Sequence, residues 1–355
     1  MILRECEGMM KNSGQPNVPV RMESRTAIAA SSGGLDSLLA AEVIRRTGID
    51  VILLHVQHLF SGSEAGRTRL RASAERLGMP LRIVDASEEH LETIRRPRHG
   101  YGRGMNPCVD CRIFMLKVAR RVMEEEGASF VVTGEVLGQR PKSQHFKALQ
   151  QAAVESRLGD RLLRPLSANL LPDTLPVTEG WVCKEDLFSM HGRSREPQIA
   201  LAKAFGIVDY PQPAGGCLLI EKTYAARLRD AFDRLGRDAV DLDAFRLLRH
   251  GRHFRLSERV KVIVGRNKQE NDTLDRFAPG RTRIEPIDVM GPTALVEGDP
   301  MDEELRLAAS LVARYCDGEA GSRVTFDILR EGVHREIDVP PLLADDPQIT
   351  AWRIE

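Results

Sequence analysis

The chain has 355 residues, 42% of them hydrophobic and 29% charged, the composition of a globular protein long enough for two or three domains. Its 51 basic and 51 acidic side chains cancel, which excludes a general electrostatic pull toward nucleic acid and leaves any such contact to local patches. No stretch approaches the roughly 20 apolar residues that span a bilayer, and no apolar run of signal length opens the chain, so no membrane partner and a cytoplasmic location are expected.

Residues 1–24 are polar and patternless and are expected to form a flexible tail, with Met22 as an alternative start. The apolar run from Thr26 to Ala30 predicts a buried strand, and Leu38 to Arg46 an amphipathic helix. Between them lies Ser32-Gly33-Gly34-Leu35-Asp36-Ser37. A strand, a glycine turn and a helix start make an anion site, because backbone N–H groups and the positive end of the helix dipole converge there. No Gly-Lys-Ser/Thr follows, so this is not the common nucleoside-triphosphate loop.

Asp50–Val56 predicts a second buried strand, 64–77 a helix stopped by Gly78, and Leu81–Asp85 a third strand. This alternation predicts an α/β domain with a doubly wound parallel sheet, its ligand at the carboxyl ends of the strands. A basic, glycine-rich loop follows from Arg95 to Gly104, including Arg98 and Arg103. It precedes Asn106-Pro107-Cys108-Val109-Asp110-Cys111 and a helix to Glu126. Ser129 to Gly134 predicts a fourth strand, ending in Thr133-Gly134. The polar segment after it, with Arg140 and Lys142, predicts a substrate-facing loop and a short helix. A short final strand over 161–166 completes a first domain at 25–168.

Residues 169–240 are expected to form a linker and helical extension, with a helix capped by Ser194, a rigid turn over 210–217 that carries Cys217, and a helix capped by Thr223. From 241 to 355 the character changes to a smaller α+β domain. It opens with an Arg- and His-rich segment. Val260–Val264 alternates as a half-exposed strand and leads into Gly265-Arg266-Asn267-Lys268-Gln269-Glu270-Asn271. A helix over 302–315 and a hairpin over 324–339, turning at Glu331-Gly332, complete it.

Six cysteines in a chain of this length do not suggest a disulfide framework. Cys108 and Cys111 are a close pair at a helix start, which favours thiolate, and Cys217 is the distant third. A four-cysteine zinc site needs a second pair, which is missing. Three cysteines leave one coordination position open, which suits a 4Fe-4S cluster with one iron free for sulfide. A persulfide on one cysteine, released by another, is the second chemistry the pattern permits. Two buried cysteines at helical spacing with an unrelated third is the plain structural one. Cys6, Cys183 and Cys316 are read as bystanders without partners.

The six-residue turn resembles the Ser-Gly-Gly-x-Asp-Ser signature of the PP-loop ATP pyrophosphatases. That resemblance implies ATP held by Ser32, Gly33, Gly34, Asp36, Ser37, Thr133 and Gly134, with Mg2+ on Asp36. The Asn-Pro-Cys-x-x-Cys block and the later Thr-Gly resemble the tRNA 2-thiouridine synthases. The cysteine pair with a distant third resembles the tRNA 2-thiocytidine synthases. These resemblances imply a tRNA sulfurtransferase in which Asp36, Cys108, Cys111 and Cys217 are catalytic, and in which the three cysteines hold the cluster or carry the sulfur. The partners implied are tRNA and a sulfur donor, whether a cysteine desulfurase, a sulfur carrier or free sulfide, with a homo-oligomer left open. Glu135 stands where the 2-thiouridine synthases have His, and no RNA-binding domain precedes the loop as in the 4-thiouridine synthases.

The segment from Val264 to Asn271 resembles the Val-Gly-Arg-Asn-x-x-x-Asn motif of the NFACT RNA-binding domain. It implies RNA contacts from Arg266, Asn267 and Lys268, joined by Arg98, Arg103, Arg140 and Lys142 near the first site. Two rival functions stand beside this one. The first is PP-loop activation of a small molecule, and the second is a non-catalytic RNA-binding factor that takes ATP only as a ligand.

Overall fold

The computed structural model describes residues 25–210, 217–319, 321–343 and 345–355. The expected tail at 1–24 and most of the turn before Cys217 lie outside the described residues. The chain divides into two compact units. One comprises the described residues up to Gly102 and from Asn106 to Tyr210; the other comprises Arg103–Met105 with the described residues from Cys217 to Glu355.

The first unit is built on five parallel strands in the order β3-β2-β1-β4-β5. These are β1 (Thr26–Ala30), β2 (Asp50–Gln57), β3 (Leu81–Asp85), β4 (Phe130–Thr133) and β5 (Leu162–Leu163). Its helices are α1 (Leu35–Arg46), α2 (Glu64–Arg76), α3 (Ser87–Arg95), α4 (Cys108–Glu125), α5 (Phe146–Glu155), α6 (Leu175–Thr178) and α7 (Glu196–Ala204).

The strands are apolar on both faces because both faces are covered. Ala27, Ala29, Val51, Leu53, Phe130 and Val132 point to the face packed by α1, α2 and α7. Ile28, Leu54, Val56 and Val131 point to the face packed by α4 and α5. The doubly wound parallel sheet expected from the sequence is thus present. Helix α3 was not anticipated, since Ser87–Arg95 is polar apart from Leu91 and Ile94.

The second unit carries a six-stranded antiparallel sheet in the order β11-β10-β8-β9-β7-β6. Its strands are β6 (Arg252–Arg255), β7 (Lys261–Val264), β8 (Thr282–Pro286), β9 (Ala294–Glu297), β10 (Val324–Arg330) and β11 (Val333–Val339). Its helices are α8 (Lys222–Leu235), α9 (Leu242–Leu247), α10 (Lys268–Arg276), α11 (Asp302–Ala313) and α12 (Pro347–Trp352).

Helix α11 covers one face with Leu305, Ala308, Ala309 and Val312. Leu247 of α9 and Leu274 of α10 pack on the other. Every residue of β7 is buried, so the expected half-exposed strand is an interior one. The hairpin turns at Glu331 and Gly332 as expected, both with positive φ.

Helix α8 belongs to this unit rather than to an extension of the first. Its Arg227 donates to the carbonyls of Leu248 and Gly251 at 2.9 and 3.0 Å, and Tyr224 donates to that of Phe245 at 3.0 Å. The cap of α8 is Glu221, and Thr223 lies inside the helix. The structural divide therefore falls before Cys217, not at 240.

Candidate active site at the carboxyl edge of the parallel sheet

In a parallel sheet every strand releases the chain at the same edge, and every following helix starts there. The glycine turn leaves β1 at that edge. Gly33 has φ +76, a conformation that L side chains rarely adopt. Its N–H donates to Ser31 Oγ at 3.2 Å, Ser31 Oγ lies 3.2 Å from Ser37 Oγ, and Ser37 donates to the Gly34 carbonyl at 2.8 Å. These bonds hold the turn open, and no side chain caps α1. The first-turn N–H groups of α1 have no carbonyl one turn back to bond to, so the turn presents donors to an anion.

Thr133-Gly134 leaves β4 beside it. A Cβ on Gly134 would fall 2.4 Å from the carbonyl carbon and oxygen of Asp36 and 2.5 Å from the Ser37 nitrogen. Glycine is required there so that the two backbones can touch. The Asp36 carboxylate accepts from Gln139 Nε2 at 3.0 Å and lies 3.5 Å from Arg195 Nη2, at the start of α7. Gln139 Oε1 and Arg195 Nε are both buried without a hydrogen-bond partner among the described residues. Both atoms belong to the two side chains that meet the Asp36 carboxylate.

Helix α4 runs back against β4, which puts its first residue at the same edge. Cys108 and Cys111 occupy its first and fourth positions, both partly exposed and not disulfide-bonded. Asn106 Nδ2 donates to Cys108 Sγ at 3.0 Å, and His90 Nε2 lies 3.4 Å from Cys111 Sγ. Asp110, between the cysteines, accepts the backbone N–H groups of Arg98 and His99 at 2.9 and 3.1 Å and ties the basic loop to the helix start.

The cysteine pair and the phosphate turn are joined by contacts. Arg112, next to Cys111, lies 3.2 Å from Glu135, which directly follows Gly134. Glu135 also binds Arg164 at 2.9 Å and accepts from Thr133 at 3.1 Å. Burial pushes the Glu135 carboxyl up, but Arg112 and Arg164 outweigh it and hold the group below the usual carboxylate range.

A histidine cluster sits beside Cys111. The His58 and His90 rings are 4.3 Å apart, and His90 packs on Phe114 at 5.1 Å. Burial, with a smaller push from His58, lowers His90 to about 3. Burial, with a smaller push from His55, lowers His58 to about 4. His55 Nδ1 donates to the Ser31 carbonyl at 3.0 Å, which anchors β2 to the phosphate turn.

The structure brings together Gly33, Gly34, Asp36, Ser37, Thr133 and Gly134, as the sequence implied, with the cysteine pair linked to them through Arg112 and Glu135. Ser32, Arg98, Arg140 and Lys142 are exposed. Arg103 and Cys217 are exposed and fall in the second unit. In that unit the Met105 N–H donates to the Leu219 carbonyl at 2.8 Å.

Arg266 grips Glu270, and Asn267 caps α10 by accepting the Glu270 N–H at 3.0 Å, while Lys268 is exposed. The sequence reading missed Gln139, Arg195 and His90 as site residues. The only signal for His90 was its place a few residues beyond a strand end. Cys183 is disulfide-bonded, which corrects the expectation that it lacks a partner. Among the described residues no three His, Cys, Asp or Glu side chains are gathered as a metal site.

Residues 23–169 match the family described as thiamine biosynthesis protein ThiI, and residues 251–353 match the NFACT protein RNA binding domain. Two separate regions of the chain thus resemble two different families. It is 30% identical over 247 residues to a tRNA-specific 2-thiouridylase MnmA of Azorhizobium caulinodans, covering 64% of this chain and 60% of that relative. It is 32% identical over 150 residues to a probable tRNA sulfurtransferase of Thermus thermophilus, covering 40% of this chain and 36% of that one. The chain thus spans less than two thirds of the length of either relative. A solved 4-thiouridine synthetase in complex with RNA and ATP is 20% identical, covering 52% of each chain at a TM-score of 0.35. No helix among the described residues is long and apolar enough to cross a membrane.

Proposed function

We propose that this PP-loop protein is an ATP-dependent tRNA sulfurtransferase. One observation carries the reading. An uncapped helix start that can hold phosphate and a cysteine pair lie at one edge of one sheet, linked through Glu135 and Arg112. Phosphate activation and sulfur delivery are then neighbours. The base carbonyl oxygen attacks the α-phosphorus of ATP and expels pyrophosphate. Sulfur then adds to the activated carbon, and AMP leaves with the oxygen.

In this reading Ser32, Gly33, Gly34, Ser37, Thr133 and Gly134 hold the nucleotide. Asp36 holds Mg2+, and Arg195 and Gln139 place its carboxylate. Cys108 and Cys111, partly exposed thiols at a helix start, carry the sulfur in this reading; a 4Fe-4S cluster needs a third ligand, and the described residues gather none beside them. Cys217, the third cysteine of the sequence pattern, is exposed and belongs to the second unit.

The basic side chains of Arg98, Arg103, Arg140 and Lys142 contact tRNA phosphates, and the second unit binds RNA through Lys268 and the exposed side of Arg266. Asn267 keeps the turn in shape as the α10 cap. The protein acts in the cytoplasm, with tRNA and a sulfur donor as partners.

The test is AMP release from α-labelled ATP by the full chain, with and without unmodified tRNA. The reading predicts tRNA-dependent AMP and pyrophosphate. AMP release that ignores tRNA and answers to a small carbonyl metabolite would move the function to small-molecule activation. No turnover with retained ATP and RNA binding would make it a non-catalytic factor.

A further inference from the structure

The phosphate turn from Ser31 to Ser37 carries no lysine, so the positive side chain that a polyphosphate calls for comes from elsewhere in the chain. Arg112 and Arg164 are both held by Glu135. Arg195 is placed differently. It stands at the start of α7 with its side chain 22% exposed, and its guanidinium makes one polar contact among the described residues, 3.5 Å from Asp36 Oδ1 in the first turn of α1. A guanidinium has five N–H donors, so most of those of Arg195 face the turn without a protein partner among the described residues. Gln139 Nε2 holds the other carboxylate oxygen, Asp36 Oδ2, at 3.0 Å, so Asp36 keeps a partner when Arg195 turns to a phosphate.

Access decides which phosphates Arg195 meets. Gly134 lies against the backbone of Asp36 and Ser37 and walls the turn on that side. The α-phosphorus has to stay open to the attacking carbonyl oxygen, so the groups seated in the turn are the β- and γ-phosphates.

We propose that Arg195 is a catalytic residue whose guanidinium binds the β- and γ-phosphates of ATP and the pyrophosphate they become. The inference rests on the ATP-dependent reading given above. As the carbonyl oxygen bonds to the α-phosphorus, the bond from that phosphorus to the bridging oxygen breaks, and its electron pair leaves with pyrophosphate. Negative charge therefore grows on the leaving group, where a fixed cation stabilises the transition state more than the ground state. Arginine suits the task because its planar fork meets two phosphate oxygens at once.

The test titrates the full chain with ATP, inorganic pyrophosphate and AMP in wild type, Arg195→Met, Arg195→Gln and Arg195→Lys, with the fold checked by circular dichroism. Arg195→Gln keeps an N–H for Asp36 and loses the charge, whereas Arg195→Lys keeps the charge and loses the fork. The expected result is ATP and pyrophosphate binding weaker by about tenfold or more in Arg195→Met and Arg195→Gln, a smaller loss in Arg195→Lys, and AMP binding as in wild type throughout. Wild-type ATP affinity in Arg195→Gln would confine Arg195 to placing Asp36 and overturn the proposal, and so would an equal loss of ATP and AMP. Both of these outcomes leave the sulfurtransferase reading standing, whereas a wild-type chain that binds no ATP overturns the two together. If Arg195→Met does not fold, Arg195→Gln decides by the same criterion.

Discussion

Two carboxylates, the buried Glu135 and the half-buried Glu297, one in each unit, face the same physical problem. Glu135 is held by Arg112 and Arg164, and Glu297 by Lys261 at 3.1 Å and Arg281 at 3.0 Å. For both, burial pushes the carboxyl up, and the paired cations win and lower it. The consequences differ because the sheets differ. In the parallel sheet Glu135 lies just past the end of β4, at the edge where helices begin, and its partner Arg112 is the neighbour of Cys111. In the antiparallel sheet Glu297 lies across from Lys261 in register, and the cluster ties β9 to β7. A parallel sheet concentrates chemistry at one edge, whereas an antiparallel one uses the same ion pairs to join strands.

The sharpest break in this comparison is the phosphate turn itself. Asp36→Ala is expected to abolish AMP formation from ATP, measured on labelled nucleotide, with the fold retained by circular dichroism. Next, Glu135→Gln and Glu297→Gln should each cost about 3–5 kcal/mol of their own unit's stability in urea titrations, since each leaves a buried cation uncompensated. Only Glu135→Gln should also slow AMP formation; equal effects of the two on the reaction would erase the distinction drawn here.

Cys217→Ser should stop sulfur transfer or weaken iron binding while ATP binding stays as in wild type, read by thionucleoside yield and nucleotide titration. In the second unit Lys268→Ala should weaken tRNA binding severalfold and reduce the salt slope of log K by about 1.

The smallest effect is on acid stability. His90 and His58 titrate at about 3 and about 4 in the folded chain, against 6.5 when unfolded. The unfolded state takes up protons first as pH falls. Their contribution is full above about 6.5 and is lost as pH drops toward 4 and 3. The urea midpoint of the first unit should fall between pH 7.5 and 5, and less steeply in His90→Phe.

Much of the first unit was legible because its strands are short apolar runs punctuated by glycine, and because the phosphate turn is local in sequence. Gly134 was legible as a motif, but its reason, contact with the Asp36 backbone, needs the fold. Gln139 was legible only as one residue of a polar loop expected to face the substrate, and His90 and Arg195 were not legible, since each reaches the site from a distant segment: Arg195 lies 159 positions from the aspartate it meets. Alternation misled at β7, where Lys261 is buried only because Glu297 neutralises it from the next strand. The boundary before α8 was missed because Arg227 and Tyr224 read as ordinary helix residues until their carbonyl partners appear.

The most direct test of the central claim is mass spectrometry of tRNA nucleosides from cells with and without this gene. The account predicts loss of one thionucleoside on deletion, restored by the wild-type gene and not by Asp36→Ala. An unchanged nucleoside profile in a cell with no redundant enzyme would contradict it.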